Sequence, residues 1–378
     1  MSAQRQASSA SQTPHISPAE LSYLWSSLAL PNNPIRPDGR SPTQFRPLSA
    51  ETDILPGTNG SARVGFADGT QAIVGVKAEV EKTVAAADVS SLSQRAQEQF
   101  GENQDGEGKS SATTTGHGSW VQMSIEIPGY RDDDALPVFL SEMMREPLVE
   151  SVSSGGNADG EMAGGLKGRL VINRRWHWRL YIDVLLLSQP LSYPLPLLSL
   201  TTHLALLSTK LPKLKSLGEE DPFFDDDWDA AEYLYPRSQS RLASALQLRP
   251  PVTLLVISVG ENVIFDPSRD EIAVADTLLA ISVARDGGSD ALKVLSIRTV
   301  DPPSRLTQPG MPNAENPASL ESAAVAEQAV NGEEIPGVWR PRRGGVKRNT
   351  VAKMVKLVLQ KGGVGEEVLE GLEGVEVG

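Results

Sequence analysis

At 378 residues the chain has room for two or three domains, or for one large domain with insertions. Its hydrophobic share of 39% is low for a compact domain, and its 33 glycines and 27 prolines are many, which describes a real core diluted by long loops. A formal net charge of −13 argues against nonspecific wrapping of nucleic acid by the whole surface, and the lack of cysteine excludes disulfides and thiolate metal sites. No apolar run reaches the roughly 18 residues that a membrane span needs. The Ser/Gln/Ala-rich start has no apolar core and is not a secretory signal. These bounds point to a soluble intracellular protein of mixed helix and strand.

Residues 1–16 read as a disordered tail. Ser17-Pro18-Ala19-Glu20 is a capping box with proline at the first helical position, and Leu21, Leu24, Trp25 and Leu28 follow at helical spacing. The helix ends before Pro31. Arg36-Pro37-Asp38-Gly39-Arg40 reads as a tight, solvated turn. From Gly60 to Val80, Ala62, Val64 and Phe66 alternate with polar or small residues. Asp68-Gly69 turns the chain, and Ala72, Val74, Val76 and Ala78 alternate on the return: a hairpin. Lys77 and Glu79 share the opposite face with Arg63, and a cross-strand ion pair is expected there.

Residues 84–118 lose periodicity and read as a long mobile insertion. Trp120 to Ile127 alternates as a strand. Asp132-Asp133-Asp134 then opens a helix over Ala135 to Val149, with Leu136, Phe139, Leu140, Met143 and Met144 as its apolar stripe. A Gly/Ser-rich loop, 151–165, precedes two strands over Leu166 to Leu187 around an Asn173-Arg174-Arg175 turn. The second of these, with Leu180 to Leu187 apolar apart from Asp183, reads as a strand buried on both faces. A carboxylate in so oily a segment is costly unless paired or hydrogen-bonded, so Asp183 is either a satisfied structural aspartate or a remnant of chemistry.

Leu197 to Lys210 reads as a buried helix. The segment 216–249 is an acidic connector whose interleaved Phe223, Phe224 and Trp228 suggest that it packs on something. Val252 to Val259 is a second doubly apolar strand. Gly260-Glu261-Asn262 turns it into Val263 to Asp266, and Leu278–Ala284 and Ala291–Thr299 complete a meander. Residues 301–338 read as a flexible loop. A last helix runs from Thr350 to Gln360 with Val351, Met354, Val355, Val358 and Leu359 on one face, closed by Lys361 and Gly362.

The usual catalytic constellations are missing. The four histidines, His15, His117, His177 and His203, are scattered, and no serine elbow precedes a helix. Dinucleotide and Walker-type loops are absent. Asp225-Asp226-Asp227 is a weak metal motif, because three consecutive carboxylates point in different directions. The stretch from Arg340 to Lys361 carries Arg340, Arg342, Arg343, Lys347, Arg348, Lys353, Lys356 and Lys361 with no acid between. It is either the solvated approach to a helix or a phosphate or partner contact.

In order and spacing these blocks resemble the RNase PH-like ring subunits of the RNA exosome. The resemblance is carried by the capped N-terminal helix, Arg36-Pro37-Asp38-Gly39-Arg40, and the Gly60–Val64 and Gly75–Val80 hairpin strands. It continues through Leu180-Tyr181-Ile182-Asp183-Val184-Leu185 and Val259-Gly260-Glu261-Asn262 to Asp266-Pro267-Ser268. It implies an α+β fold of two sheet-and-helix halves in one domain over 17–300: an N-terminal lobe 17–215, the connector, and a C-terminal lobe from 250. Residues 339–378 return to that domain.

Active members of the family are phosphorolytic 3′→5′ exoribonucleases. By the resemblance, Asp183 falls on their earlier acidic position, while Ser188-Gln189-Pro190 falls where their Asp-Gly-Gly run carries the general acid. The fold is kept and the active site lost, with no catalytic residue, metal or cofactor. Of the two channel arginines of the archaeal inactive subunits only Arg145 has a match, since Ser141 takes the other place. Arg145, with Arg340, Arg342, Arg343, Lys347 and Arg348, is the expected RNA contact. The expected partners are other RNase PH-like ring subunits, cap subunits and single-stranded RNA, with no membrane. The expected locations are nucleus, nucleolus and cytoplasm.

Overall fold

The computed structural model describes residues 16–31, 33–83, 117–149, 151–152, 161–162, 166–216, 218, 220–235, 249–285, 291–301, 339–340 and 345–375. The expected tail, the insertion 84–116, most of the Gly/Ser-rich loop and the loop 302–338 lie outside these residues. The first helix, α1 (Pro18–Leu28), starts where its capping box says. The Glu20 amide donates to Ser17 Oγ and the Ser17 amide to Glu20 Oε2 at 2.8 Å. Its other end is closed from far away in the chain: Asn262 Nδ2 donates to the Leu28 and Leu30 carbonyls at 2.7 and 2.8 Å.

Three antiparallel strands follow, β1 (Leu48–Thr52), β2 (Gly60–Phe66) and β3 (Gln71–Lys82). The hairpin forms as its alternation predicts, with Ala62, Val64, Phe66, Ala72, Val74 and Val76 buried on one face. The ion pair on the other face differs from expectation. Arg63 reaches Gln71 Oε1 at 2.6 Å and Glu51 at 4.0 Å, while Lys77 pairs with Glu79 on its own strand. Arg63 lies opposite Ile73 and Glu51, so the expected partners are further along the sheet. Next come β4 (Val121–Glu126), α2 (Ala135–Val149) and β5 (Trp176–Leu186). The order is β1-β2-β3-β5-β4, with β4 and β5 parallel.

The expectation of a strand over Leu166–Ile172 is corrected: Leu166–Arg169 is a single helical turn, and only Val171 bridges to His177. On α2 the buried stripe is Leu140, Met143, Met144, Pro147 and Leu148; Leu136 is half-buried and Phe139 is exposed. The helix is rotated so that the 140/143/144/147 row packs on β4.

Helix α3 (Leu195–Ser208) has no polar face, and every one of its residues is buried. It lies between the two sheets, against β2 and β3 on one side and β6 (Val252–Val259) on the other. Its end comes so close to β2 that a Cβ on Gly60 would lie 2.5 Å from Thr209 Cα, which only glycine avoids. The second sheet adds β7 (Asn262–Phe265), then a short capped helix α4 (Arg269–Ala273), β8 (Thr277–Arg285) and β9 (Leu292–Val300) in the order β7-β6-β8-β9. β6 is buried on both faces, as its apolar run predicts. Helices α5 (Arg348–Leu359) and α6 (Val364–Glu373) complete the C-terminal half, with α5 against β6 and β9. The core side chains of both halves form one continuous cluster.

One consequence of this layering concerns Asp183. The inner face of β5 (Leu180, Ile182, Val184, Leu186) is buried against the core, but the outer face (Asp183, Leu185, Leu187) is exposed. The doubly buried strand expected from the sequence is therefore buried on one face only. Asp183 stands opposite Gly75 and Ser124 on that open face, and the cost of burying a carboxylate does not arise.

Candidate functional site

The most tightly built polar cluster joins the segment after α1 to the second sheet, and its hub is Asp266. Arg36 is 3% exposed and Glu271 and Asp266 are both 0% exposed: Pro37, Asp38 and Gly39 keep the expected solvated turn, while Arg36 at its start is buried in a junction with the second sheet. The Arg36 guanidinium clasps Glu271 with two bonds, Nε to Oε1 at 2.7 Å and Nη2 to Oε2 at 2.8 Å. It donates further to the Phe265, Asp266 and Ser41 carbonyls at 3.2, 2.9 and 3.2 Å. The fork geometry suits arginine alone. Glu271 is set in place by the capping box that starts α4, accepting the Ser268 amide at 2.7 Å.

Asp266 takes two more arginines. Arg40 Nη1 donates to its Oδ2 at 2.8 Å and Arg46 Nη2 to its Oδ1 at 2.7 Å, with the Arg46 amide on Oδ2 at 2.9 Å. Its φ of 45° is the left-handed conformation that aspartate tolerates better than most residues, and the three arginines over-determine it. Arg46 extends the cluster. It reaches Asp68 of the β2–β3 turn at 2.7 Å and Ser192 Oγ in the loop after β5 at 2.9 Å, and lies 4.2 Å from the Phe66 ring centroid. Burial works against its charge, but the hydrogen bonds and charges of Asp266 and Asp68 together outweigh that and lift its pKa. Asp68 is the converse: burial opposes ionisation, while hydrogen bonds from Thr70 and the charge of Arg46 hold its carboxyl below the usual range.

The loop that Arg46 pins through Ser192 is the one carrying Ser188. Ser188 lies two residues beyond β5, half-buried, with its Oγ shielded from solvent and no hydrogen-bond partner. The neighbouring Gln189 Nε2 would be 3.6 Å from a Cβ on Gly129, so this loop abuts the loop leaving β4. There Tyr130 presents a second shielded, unpartnered hydroxyl. Burial first, and Asp134 second, push the Tyr130 pKa up against the smaller opposing effect of Arg269, so it remains a neutral phenol. The carboxyl ends of parallel strands are a common ligand position in α/β sheets, and here they carry neutral hydroxyls. Neither hydroxyl is a general acid of carboxylic strength.

The other expected site residues are dispersed. Asp183 faces outward from the middle of the first sheet. Arg145 on α2 is bound twice to Glu142, at 2.9 Å each, and donates to the Gly118 carbonyl at 2.9 Å. The bond to Glu142 is the main cause of its raised pKa. Arg340 is half-buried beside Trp339, which packs near α1 through its amide on Ser22 Oγ at 2.9 Å. Lys347 and Arg348 are exposed at the start of α5, and no acid pairs with them among the described residues. Arg342 and Arg343 lie outside the described residues. Asp225–Asp227 do not form a metal cluster: among the described residues no group of three His, Cys, Asp or Glu could hold an ion. No described helix is long and apolar enough to cross a membrane.

Sequence reasoning missed the Arg36/Arg40/Arg46–Asp266/Glu271 network. One signal was present in Ser268-Arg269-Asp270-Glu271, a capping box that announces α4 and with it the placement of Glu271.

Two sheets enclosing a helix, with arginines of the first lobe locked to the second, make a layered α+β architecture. No family model matches the chain. It is 31% identical over 272 residues to exosome complex component RRP42 of Saccharomyces cerevisiae, covering 71% of this chain and 81% of that protein. It is 30% identical over 291 residues to exosome complex component rrp42 of Schizosaccharomyces pombe, covering 73% and 81%. A solved structure of the Archaeoglobus fulgidus exosome with RNA bound to the active site superposes with a TM-score of 0.46 at 20% identity, covering 82% of this chain and 92% of that one. The chain belongs to the RRP42 family of exosome complex components.

Proposed function

We propose that the protein is a non-catalytic subunit of the exosome core ring. It pairs with related RNase PH-like subunits, supports cap subunits, and helps form a channel that guides single-stranded RNA for 3′→5′ processing and decay, including ribosomal RNA maturation, in nucleus, nucleolus and cytoplasm. The observation that carries this reading is the shielded, neutral hydroxyl of Ser188, in the loop where the resemblance places the family's general acid, with Asp183 exposed on the outer face of its strand. The fold's shape is preserved without its acid. The relatives are named as exosome components, which supports membership of that assembly.

RNA contact falls to the basic residues by unequal shares. Arg145 has its guanidinium committed to Glu142 and Gly118, so a phosphate must compete for it. Lys347 and Arg348 sit at the positive end of α5 with no side-chain cap, an arrangement that costs a few tenths of a kcal/mol to about 1 kcal/mol unless an anion is present. In a reconstituted ring, Lys347→Ala with Arg348→Ala is expected to lower affinity for single-stranded RNA several-fold and to reduce the log–log salt slope by roughly 1.4, two phosphate contacts' worth. Arg145→Ala is expected to change affinity less than about twofold. Binding and salt titration of the three rings checks this. An unchanged salt slope in the double variant removes these residues from the RNA path.

A further inference from the structure

An acidic segment that is merely solvated turns its apolar side chains inward. The connector between α3 and β6 does so with Phe224 and with Tyr235, which is wholly buried, but withholds Phe223 and Trp228. Phe224 packs on Trp178 with ring centroids 5.0 Å apart. The surrounding backbone is fixed by Lys215–Asp225 at 2.9 Å, Arg175–Asp221 at 2.7 Å, and Asn173 Nδ2 on the Glu220 carbonyl at 2.8 Å. Main-chain bonds from Lys215 to Phe223 and from Asp225 to Lys213 stitch its two arms together. From this ordered base Phe223 stands 64% exposed and Trp228 49% exposed, with Leu214 also outward. Trp228 is held in a short turn capped by Asp227, whose Oδ1 accepts the Asp229 amide at 3.0 Å. Large aromatic side chains held out on a fixed backbone mark a contact surface.

The charges around them say what would cover it. Asp226, Asp227 and Asp229 are exposed, and no cation pairs with them among the described residues. The outer face of the first sheet also shows apolar side chains, at Leu185 and Leu187, beside the exposed Asp183, but it exposes no aromatic ring, and the charges around it are largely paired as Arg179–Glu81 and Lys77–Glu79. The connector joins exposed aromatics to three carboxylates that no described cation compensates.

We propose that the Phe223/Trp228 face docks an extended, Lys/Arg-bearing peptide segment of a partner protein. The aliphatic stems of such side chains cover the rings, their cationic heads sit over the ring faces, and the three aspartates accept their hydrogen bonds. The same carboxylates repel RNA, so the surface is separate from any nucleic-acid path, and the inference stands independently of the ring assignment.

The test uses the full chain and a short fluorescein-labelled peptide of repeated Gly-Lys-Arg, read by anisotropy. Phe223→Ser with Trp228→Ser is expected to weaken binding about tenfold, as the loss of two cation–π contacts implies. Glu367→Gln with Glu370→Gln, which removes charge from exposed positions on α6, is expected to leave it unchanged. Weakening by the glutamine pair with none by the serine pair means that net charge alone attracts the peptide and overturns the proposal, as does the absence of measurable binding. Displacement of the peptide by oligouridylate assigns the face to RNA. Self-association in the ultracentrifuge that disappears with Phe223→Ser and Trp228→Ser assigns it to a second copy. Either result replaces the proposed partner.

Discussion

Arg36→Ala is expected to destabilise the chain by about 3–5 kcal/mol, the cost of leaving one partner of a buried ion pair behind. Glu271 is wholly buried, and its two carboxylate oxygens face Arg36 at 2.7 and 2.8 Å. Removing the guanidinium also strips donors from the Ser41, Phe265 and Asp266 carbonyls, each a group that burial penalises when unpaired. Arg36→Lys keeps the charge and loses the fork, so it falls between wild type and alanine. Replacing both partners, Arg36→Met with Glu271→Leu, recovers most of the loss, because no orphan charge remains. Urea unfolding of the four proteins measures this. A midpoint for Arg36→Ala within experimental error of wild type, at unchanged slope, shows that the pair contributes nothing.

Asp266→Asn is expected to have an effect of similar size, about 3 kcal/mol or more, by a different route. Asparagine tolerates the left-handed backbone at φ 45° as aspartate does, so the substitution isolates charge from strain. It leaves Arg40 and Arg46 facing an amide that accepts on one side only. Because Arg46 also holds Asp68 and Ser192, the disturbance travels to the hairpin turn and to the loop carrying Ser188. Asp266→Ala adds backbone strain to the same charge loss and is expected to be worse; Asp266→Gly removes the strain and isolates the charge again. Hydrogen exchange of the amides around Ser192 follows the spread. Protection there that matches wild type in Asp266→Asn contradicts the coupling.

Much of the fold was legible because periodicity reports burial directly. The β2–β3 hairpin, α2, the β6–β9 meander and α5 lie close to where alternation, helical spacing, the aspartates ahead of α2 and glycine stops place them. What the pattern does not carry is the identity of the covering layer. Leu185 and Leu187 are apolar in sequence like Leu254 and Val256, yet the first pair faces open space and the second pair faces α3 or the C-terminal helices. The reading of Asp183 failed for that reason. α6 was overlooked although Val364, Val368, Leu369 and Leu372 keep helical spacing behind Glu366 and Glu367, because glycines on both sides break the visual run. The Arg36–Glu271 junction spans 235 residues and has no local signature at Arg36, where Pro-Asp-Gly reads as any surface turn. Of the candidate site, Ser188 is singled out by the resemblance to the family pattern alone. Its shielded position and its tether through Ser192 and Arg46 came from packing alone.

The central claim is that the family's shape persists here without its chemistry. The direct measurement is phosphate-dependent release of nucleoside diphosphates from a 3′-tailed single-stranded RNA. It is made with the full chain alone, with the chain in a ring of catalytically silent partners, and with Ser188→Asp in both settings. The account predicts no release by the unmutated chain in either setting, with the ring assembled normally. Phosphate-dependent trimming by the unmutated chain that disappears with Asp183→Asn contradicts it, and makes the exposed carboxylate of β5 the catalytic group.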